Sequence, residues 1–129
     1  MIKICITSRG TDLFSQCDPR FGRCPYFVIV DDDTMTFEAL ENPGPLADGG
    51  AGIKAAQALT TLGIDALLTG NMGPNALSVL NAAGIKVFTG INGAVEETVS
   101  QYRQGQLDLI EDATTSAHTG SRPELPGPK

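Results

Sequence analysis

Apolar and polar positions alternate at the start of the chain. Ile2, Ile4 and Ile6 fall on one side of a two-residue period, which predicts a strand over residues 2–7. A polar segment runs from Ser8 to Pro25, punctuated by Gly10, Asp12, Pro19 and Gly22. It is longer than most connections inside a compact domain, and unstructured segments of that length tend to be functional or mobile. Tyr26-Phe27-Val28-Ile29-Val30 is a continuous β-prone run that stops at Asp31-Asp32-Asp33. Weaker alternation around Phe37 and Leu40, between Met35 and Glu41, predicts the return strand of a hairpin with its turn at Asp32–Thr34. Asn42-Pro43-Gly44-Pro45 closes that strand, because proline cannot continue a ladder and Pro-Gly marks a turn.

The period then changes. Ile53, Ala56, Leu59 and Leu62 recur at helical spacing and Gly63 is a natural stop. Asp65–Thr69 reads as a short buried strand. Pro74 sits near the start of a second helix whose apolar face is Ala76, Leu77, Leu80 and Ala83, ended by Gly84. Ile85–Phe88 is the next strand, and Val95, Val99 and Tyr102 mark a third helix that stops at Gly105. Strand–helix–strand–helix–strand with short connections implies parallel strands and right-handed crossovers. Added to the meander of the first half, it predicts an α/β fold: a mixed five-stranded sheet flanked by helices. The final stretch, Ala113–Lys129, is rich in Thr, Ser, Gly and Pro and poor in apolar residues. It has too little to bury to offset the entropy of ordering it, so the expectation is one domain over residues 1–112 and a disordered tail over 113–129.

Charge and composition remove several classes of function. A net charge of −6, with nine basic residues of which only Arg20 and Arg23 lie close together, argues against nucleic acid as a partner. No apolar run approaches the roughly 18 residues of a membrane span. The opening Met1–Ile6 lacks the length and flanks of a secretory signal, so a cytoplasmic location is expected. Three cysteines do not form a disulfide framework. Cys5 lies in an apolar run and reads as a small buried hydrophobe, whereas Cys17 and Cys24 lie in the polar segment, where accessible thiols are expected.

Candidate chemistry gathers in the loops. Between Cys17 and Cys24 stand Arg20, Gly22 and Arg23. Thiolates are soft ligands for iron, copper and molybdenum sulfides, and a neighbouring guanidinium lowers a thiol's pKa and offers hydrogen bonds to an anion. The spacing matches no common zinc or ferredoxin pattern, and local pairing of Asp18 with the arginines accounts for the segment equally well. Gly49-Gly50-Ala51-Gly52 opens a helix, where backbone N–H groups and the positive end of the dipole suit an anion; a tight turn needing positive φ is the competing account. It lacks G-x-x-x-x-G-K-[ST] and is not G-x-G-x-x-G after a strand, which excludes nucleotide hydrolysis. Thr69-Gly70-Asn71-Met72-Gly73-Pro74-Asn75 joins a strand end to a helix start, the edge at which open α/β sheets bind ligands. With Gly90-Ile91-Asn92-Gly93, three Gly-rich loops are expected around one rim, suited to a bulky inorganic anion.

Catalysis finds little support. The sole histidine, His118, lies in the tail, so no Ser–His–Asp set is available. The first strand carries Lys3, Cys5 and Thr7 where a metal-dependent nuclease needs a carboxylate. Asp31–Asp33 reads as a solvated turn.

The segments Asp18-Pro19-Arg20-Phe21-Gly22-Arg23-Cys24-Pro25-Tyr26-Phe27, Asn42-Pro43, Gly49–Gly52 and Thr69–Ala76, in this order, resemble the dinitrogenase iron–molybdenum cofactor biosynthesis family. That family includes NifX-type carriers, NifB C-terminal domains and the orange protein. The resemblance covers roughly residues 1–112. It implies a three-layer ribonuclease-H-like fold and a non-enzymatic scaffold or carrier that binds a metal–sulfur cluster or its precursor (Fe–S, Mo–Fe–S or Mo–Cu–S). It also implies a cluster-assembly or cofactor-receiving partner protein. Members often carry a histidine just before the Gly-rich loop; Asp48 stands there, so Cys17 and Cys24 are the expected metal contacts. Arg20, Arg23, Gly49, Gly50, Gly52, Gly70, Asn71, Gly73 and Asn75 complete the expected site, on a monomer or weak dimer. The reading from a different class is a metal-free interaction or redox-regulatory module acting with a cluster-assembly ATPase.

Overall fold

The computed structural model describes residues 2–47 and 49–111. The expected tail, with His118, and Asp48 lie outside the described residues. Strand β1 (Lys3–Ser8) pairs antiparallel with β2 (Tyr26–Asp31), which pairs antiparallel with β3 (Phe37–Glu41). On its other side β1 runs parallel to β4 (Ala66–Leu68), and β4 parallel to β5 (Lys86–Thr89). Helix α1 (Ala51–Leu59) joins β3 to β4 and α2 (Pro74–Ala82) joins β4 to β5. Helix α3 (Val95–Arg103) leads to a last strand, β6 (Asp108–Ile110), antiparallel to β5. Among the described residues the sheet therefore has six strands, in the order β3-β2-β1-β4-β5-β6, where five were expected. The extra strand is three residues long with Leu109 half exposed, too short and too little buried for a period to register.

The alternation of β1 divides the core. Ile4 and Ile6 point to one face with Val28, Val30 and Leu68, and there meet Val95 and Val99 of α3. Cys5 points to the other with Phe27, Leu67 and Val87, and there meets Ala55, Ala56 and Leu59 of α1 and Leu77 and Leu80 of α2. Two helices on one face and one on the other make three layers around the sheet. Each fully buried Leu, Ile, Val or Phe contributes about 1.5–3 kcal/mol through removal of its surface from water. No helix among the described residues is long and apolar enough to cross a membrane.

The hairpin forms where the acidic run implies it, with the Asp31 carbonyl accepting from Met35 N–H and Asp31 N–H donating to the Thr36 carbonyl. The segment from Ser8 to Pro25 is not an open loop. It bridges Ser8 to Cys17, Gln16 to Ala94 and Arg20 to Asn71 in short β-like contacts. The segment is thereby tied to β1, to the start of α3 and to the loop after β4.

Candidate functional site

Register places two helix starts on one rim. Ser8 at the carboxyl end of β1 pairs with Tyr26, and Tyr26 pairs with Glu41 at the carboxyl end of β3. The chain leaving β3 therefore begins α1 at the same edge where β4, parallel to β1, delivers the chain to α2. Gly52 lies 3.5 Å from the Ala76 Cβ, measured from the position its own Cβ would take, so the first turns of α1 and α2 touch.

Between them opens a cleft of about 370 Å³. One wall is the first turn of α1 with Gly50 before it, another the segment from Asn71 to Ala76, and the third is Phe21, Gly22 and Arg23. Gly50 adopts a left-handed φ of +67° as the residue before α1, and neither helix start is capped by a side chain. The first-turn N–H groups and positive dipole ends of both helices thus border one space, an arrangement that favours negative charge. The third wall is seated by backbone contact. A Cβ on Gly22 would lie 2.8 Å from the Gly52 nitrogen, and one on Gly44, in the single tight turn Gly44–Leu46, would lie 2.8 Å from the Ala51 oxygen. Only glycine permits these approaches.

Of the residues expected to bind, Arg23, Gly50, Gly52, Asn71, Gly73 and Asn75 line the cleft. Gly49 is exposed just before it, and Gly70 packs behind it against Pro19. Arg20 is beside the cleft, its backbone bridged to Asn71. The Gly90–Gly93 loop is not part of it. Because the chain crosses to the opposite face after β5, that loop turns toward α3, and the Gly93 carbonyl accepts from Cys17 N–H at 2.9 Å. The third wall comes instead from Phe21–Arg23. The apolar lining, Phe21, Ile53, Met72 and Pro74, was not singled out from sequence, although Phe21 and Met72 sit inside the motifs that were. A second hollow of about 310 Å³ lies at the opposite end of β2 and β3, where Lys3 pairs with Asp31, and presents no helix start.

The expectation of two accessible thiols is overturned. Cys24 is fully buried and Cys17 nearly so, and they belong to the cores on opposite faces of the sheet. Burial pushes both thiols up, that of Cys24 to about 12, so neither is a thiolate at neutral pH. Lying on different faces, they do not converge on one metal in this conformation. Among the described residues no group of three or more His, Cys, Asp or Glu is placed to hold a metal ion.

Asp18 is the buried charge of the site. Its carboxylate accepts from the Arg20 backbone N–H at 2.9 Å, from Nε at 3.0 Å and from Nη2 at 2.8 Å, and Arg9 Nε lies 3.9 Å away. The Arg20 side-chain hydrogen bonds hold its carboxyl below the ordinary range, against the upward push of burial. A depressed carboxylate stabilises the fold above its unfolded pKa of about 3.9 and loses that contribution as pH falls through the folded value. Thermal midpoints measured from pH 6 downward are therefore expected to fall below about pH 4, and to fall less steeply in Asp18→Asn. Parallel curves for the two proteins would contradict this assignment.

Comparison with known proteins bears on the family and the fold. Residues 2–105 match the model of the dinitrogenase iron-molybdenum cofactor family. The structure superposes on the apo form of the orange protein from Desulfovibrio gigas with a TM-score of 0.84, at 39% identity, covering 89% of this chain and 98% of that one. It superposes on a candidate NifB protein from Thermotoga, placed in the DUF35 family, with a TM-score of 0.77 at 36% identity, covering 91% and 100%. An uncharacterized protein of Methanocaldococcus jannaschii is 29% identical over 100 residues, 75% of this chain and 85% of that protein. With a family model spanning nearly all of the described residues, the chain belongs to the dinitrogenase iron-molybdenum cofactor family.

Proposed function

We propose that this chain binds or carries a metal–sulfur cluster or its anionic precursor (Fe–S, Mo–Fe–S or Mo–Cu–S) in the cleft between α1 and α2, as a small scaffold or carrier and not as an enzyme. The observation that carries the reading is the convergence of two uncapped helix starts with Arg23 on one cleft, in a chain of this family. Backbone N–H groups and the Asn71 and Asn75 amides serve the anionic atoms, while Phe21, Ile53 and Met72 cover the polarisable, weakly hydrated sulfur. The apo orange protein from Desulfovibrio gigas, at 39% identity, supports a cofactor-related role. The strand order β3-β2-β1-β4-β5 with β2 antiparallel supports the ribonuclease-H-like description of the fold. On this reading the chain acts in the cytoplasm as a monomer or weak dimer and exchanges its cargo with a cluster-assembly or cofactor-receiving protein.

Anaerobic incubation of the full chain with iron plus sulfide, and separately with tetrathiomolybdate with and without copper, tests this by visible spectrum and metal analysis after desalting. A stoichiometric charge-transfer chromophore is expected in at least one case. No retained metal in any of them would transfer the reading to a metal-free interaction module. Because both thiols are buried on opposite faces, the double variant Cys17→Ser/Cys24→Ser is expected to retain binding within about threefold of the parent, as a small buried polar swap affects folding more than a distant cleft. Loss of the chromophore in that variant would restore the thiols as ligands.

A further inference from the structure

We propose that Asp18 is a positioning residue for anion binding: its grip holds Arg20, whose backbone is bridged to Asn71 of the cleft wall, in one orientation, so that the cation is ordered before the anion arrives. The proposal rests on the cleft as the anion site and assigns a role to a residue that does not line it.

Asp18 is itself immobilised. Its N–H donates to the Thr7 carbonyl at 2.9 Å and its carbonyl accepts from the Thr7 hydroxyl at 2.5 Å, at the end of β1. Its side chain is fully buried, while that of Arg20 is 58% exposed. The carboxylate grips Arg20 at both ends, through the backbone N–H and through Nε and Nη2 of the head group. The Arg20 carbonyl accepts from the N–H groups of Arg23 and Cys24, which fixes the turn leading into the third wall of the cleft. The bidentate grip leaves the Nη1 hydrogens and one Nη2 hydrogen unused by Asp18. An arginine free to rotate would lose rotamer entropy on meeting an anion; this one has lost it on folding. Asp18 also carries the opposite charge to the cation it orients. Coulomb attraction alone therefore calls for tighter anion binding when Asp18 is neutralised, and positioning calls for weaker binding.

That opposition of sign is the test. The full chain and its Asp18→Asn, Arg20→Lys and doubly substituted forms are titrated anaerobically with tetrathiomolybdate, following the visible band, at a temperature where circular dichroism shows each folded. In Asp18→Asn the Kd is expected to rise about tenfold, although the site loses a negative charge and becomes more positive overall. Lysine cannot be held by a bidentate grip, so Arg20→Lys is expected to bind about fivefold more weakly. In the Arg20→Lys background, Asp18→Asn is expected to leave Kd unchanged or lower it. Equal or tighter binding by Asp18→Asn alone would overturn the proposal. So would an equal weakening in both backgrounds, which marks a loop effect that does not pass through Arg20. Should Asp18→Asn fail to fold, Arg20→Lys decides alone, since it alters an exposed side chain; parental affinity there would overturn the proposal. A parent chain that binds no probe at all would instead remove the cleft as an anion site, a distinguishable result.

Discussion

Replacing Gly70 with alanine is expected to destabilise the protein by about 2–3 kcal/mol, as forced overpacking does. For a domain of this size that corresponds to a fall of roughly 10 °C in thermal midpoint. Gly70 follows β4, and a Cβ there would lie 2.7 Å from both the Cα and the carbonyl oxygen of Pro19. These are backbone atoms with no rotamer to yield. The same Pro19 carbonyl accepts from Asn71 N–H at 2.7 Å, so relieving the clash breaks a bond that ties the Arg20 segment to the cleft. Gly63 is the control. Its φ of +70° penalises alanine through the backbone alone, because nothing lies within 4 Å of its Cβ position, and the cost there is about 1–2 kcal/mol. Urea unfolding of both variants measures the difference. The packing account also separates stability from binding, since Gly70→Ala is expected to weaken tetrathiomolybdate binding and Gly63→Ala is not. A Gly70→Ala protein with parental stability would mean that Pro19 does not pack there.

The contrast between these two glycines shows what a sequence exposes and what it conceals. Gly63 is legible as a left-handed turn residue after a helical period, although α1 itself ends earlier, at Leu59, and Leu62 lies in the turn between them. Gly70 looks the same in sequence, yet its reason is a contact with a residue on a distant segment. The strands β1, β2, β4 and β5 and all three helices were legible for the reason Gly63 was: each buries a face, and the period of that face is written locally. Strand β6 buries almost none, so it left no period. The stretch from Ser8 to Pro25 has the sequence of an open polar loop, because nothing local shows that its polar side chains are not solvated. Asp18 is instead satisfied internally by Arg20, and Cys17 and Cys24 are covered by the two cores that the segment joins. Its partners, Asn71 and Ala94, are too far along the chain for local reasoning to find. The same limit misplaced the Gly90–Gly93 loop: the rim it belongs to was correct, but the face onto which the crossover turns was not legible. The helix starts around Gly50 and Gly73 are legible because their signal, small residues at the carboxyl edge of a parallel unit, is local.

Asn42→Ala is expected to have the larger effect, about 3–4 kcal/mol, because one side chain satisfies several buried groups whose loss costs about 1–3 kcal/mol each. Asn42 is 4% exposed at the end of β3. Its Nδ2 donates to the carbonyls of Phe21 at 3.1 Å and Cys24 at 2.8 Å and lies 3.4 Å from the Cys24 Sγ. Its Oδ1 accepts from Gly44 N–H at 2.8 Å. Alanine leaves these carbonyls and that N–H without the side chain that pairs them. Aspartate keeps an acceptor for Gly44 but sets a carboxylate against two carbonyl oxygens, so Asn42→Asp is expected to be no more stable than Asn42→Ala at neutral pH. The consequence reaches the site through glycine contacts: Gly44 rests on Gly22, and Gly22 on the Gly52 nitrogen at the start of α1. Freed from Asn42, the Phe21–Arg23 wall loses its seat, and the thiol beneath it loses its cover. Asn42→Ala is thus expected to react faster with a thiol reagent at Cys24, by about tenfold or more, because local opening exposes a group that is otherwise buried. Labelling in a background where Cys5 and Cys17 are serine isolates that site, and urea unfolding supplies the stability. Parental labelling rates together with a loss below about 1 kcal/mol would show that the wall stands without Asn42.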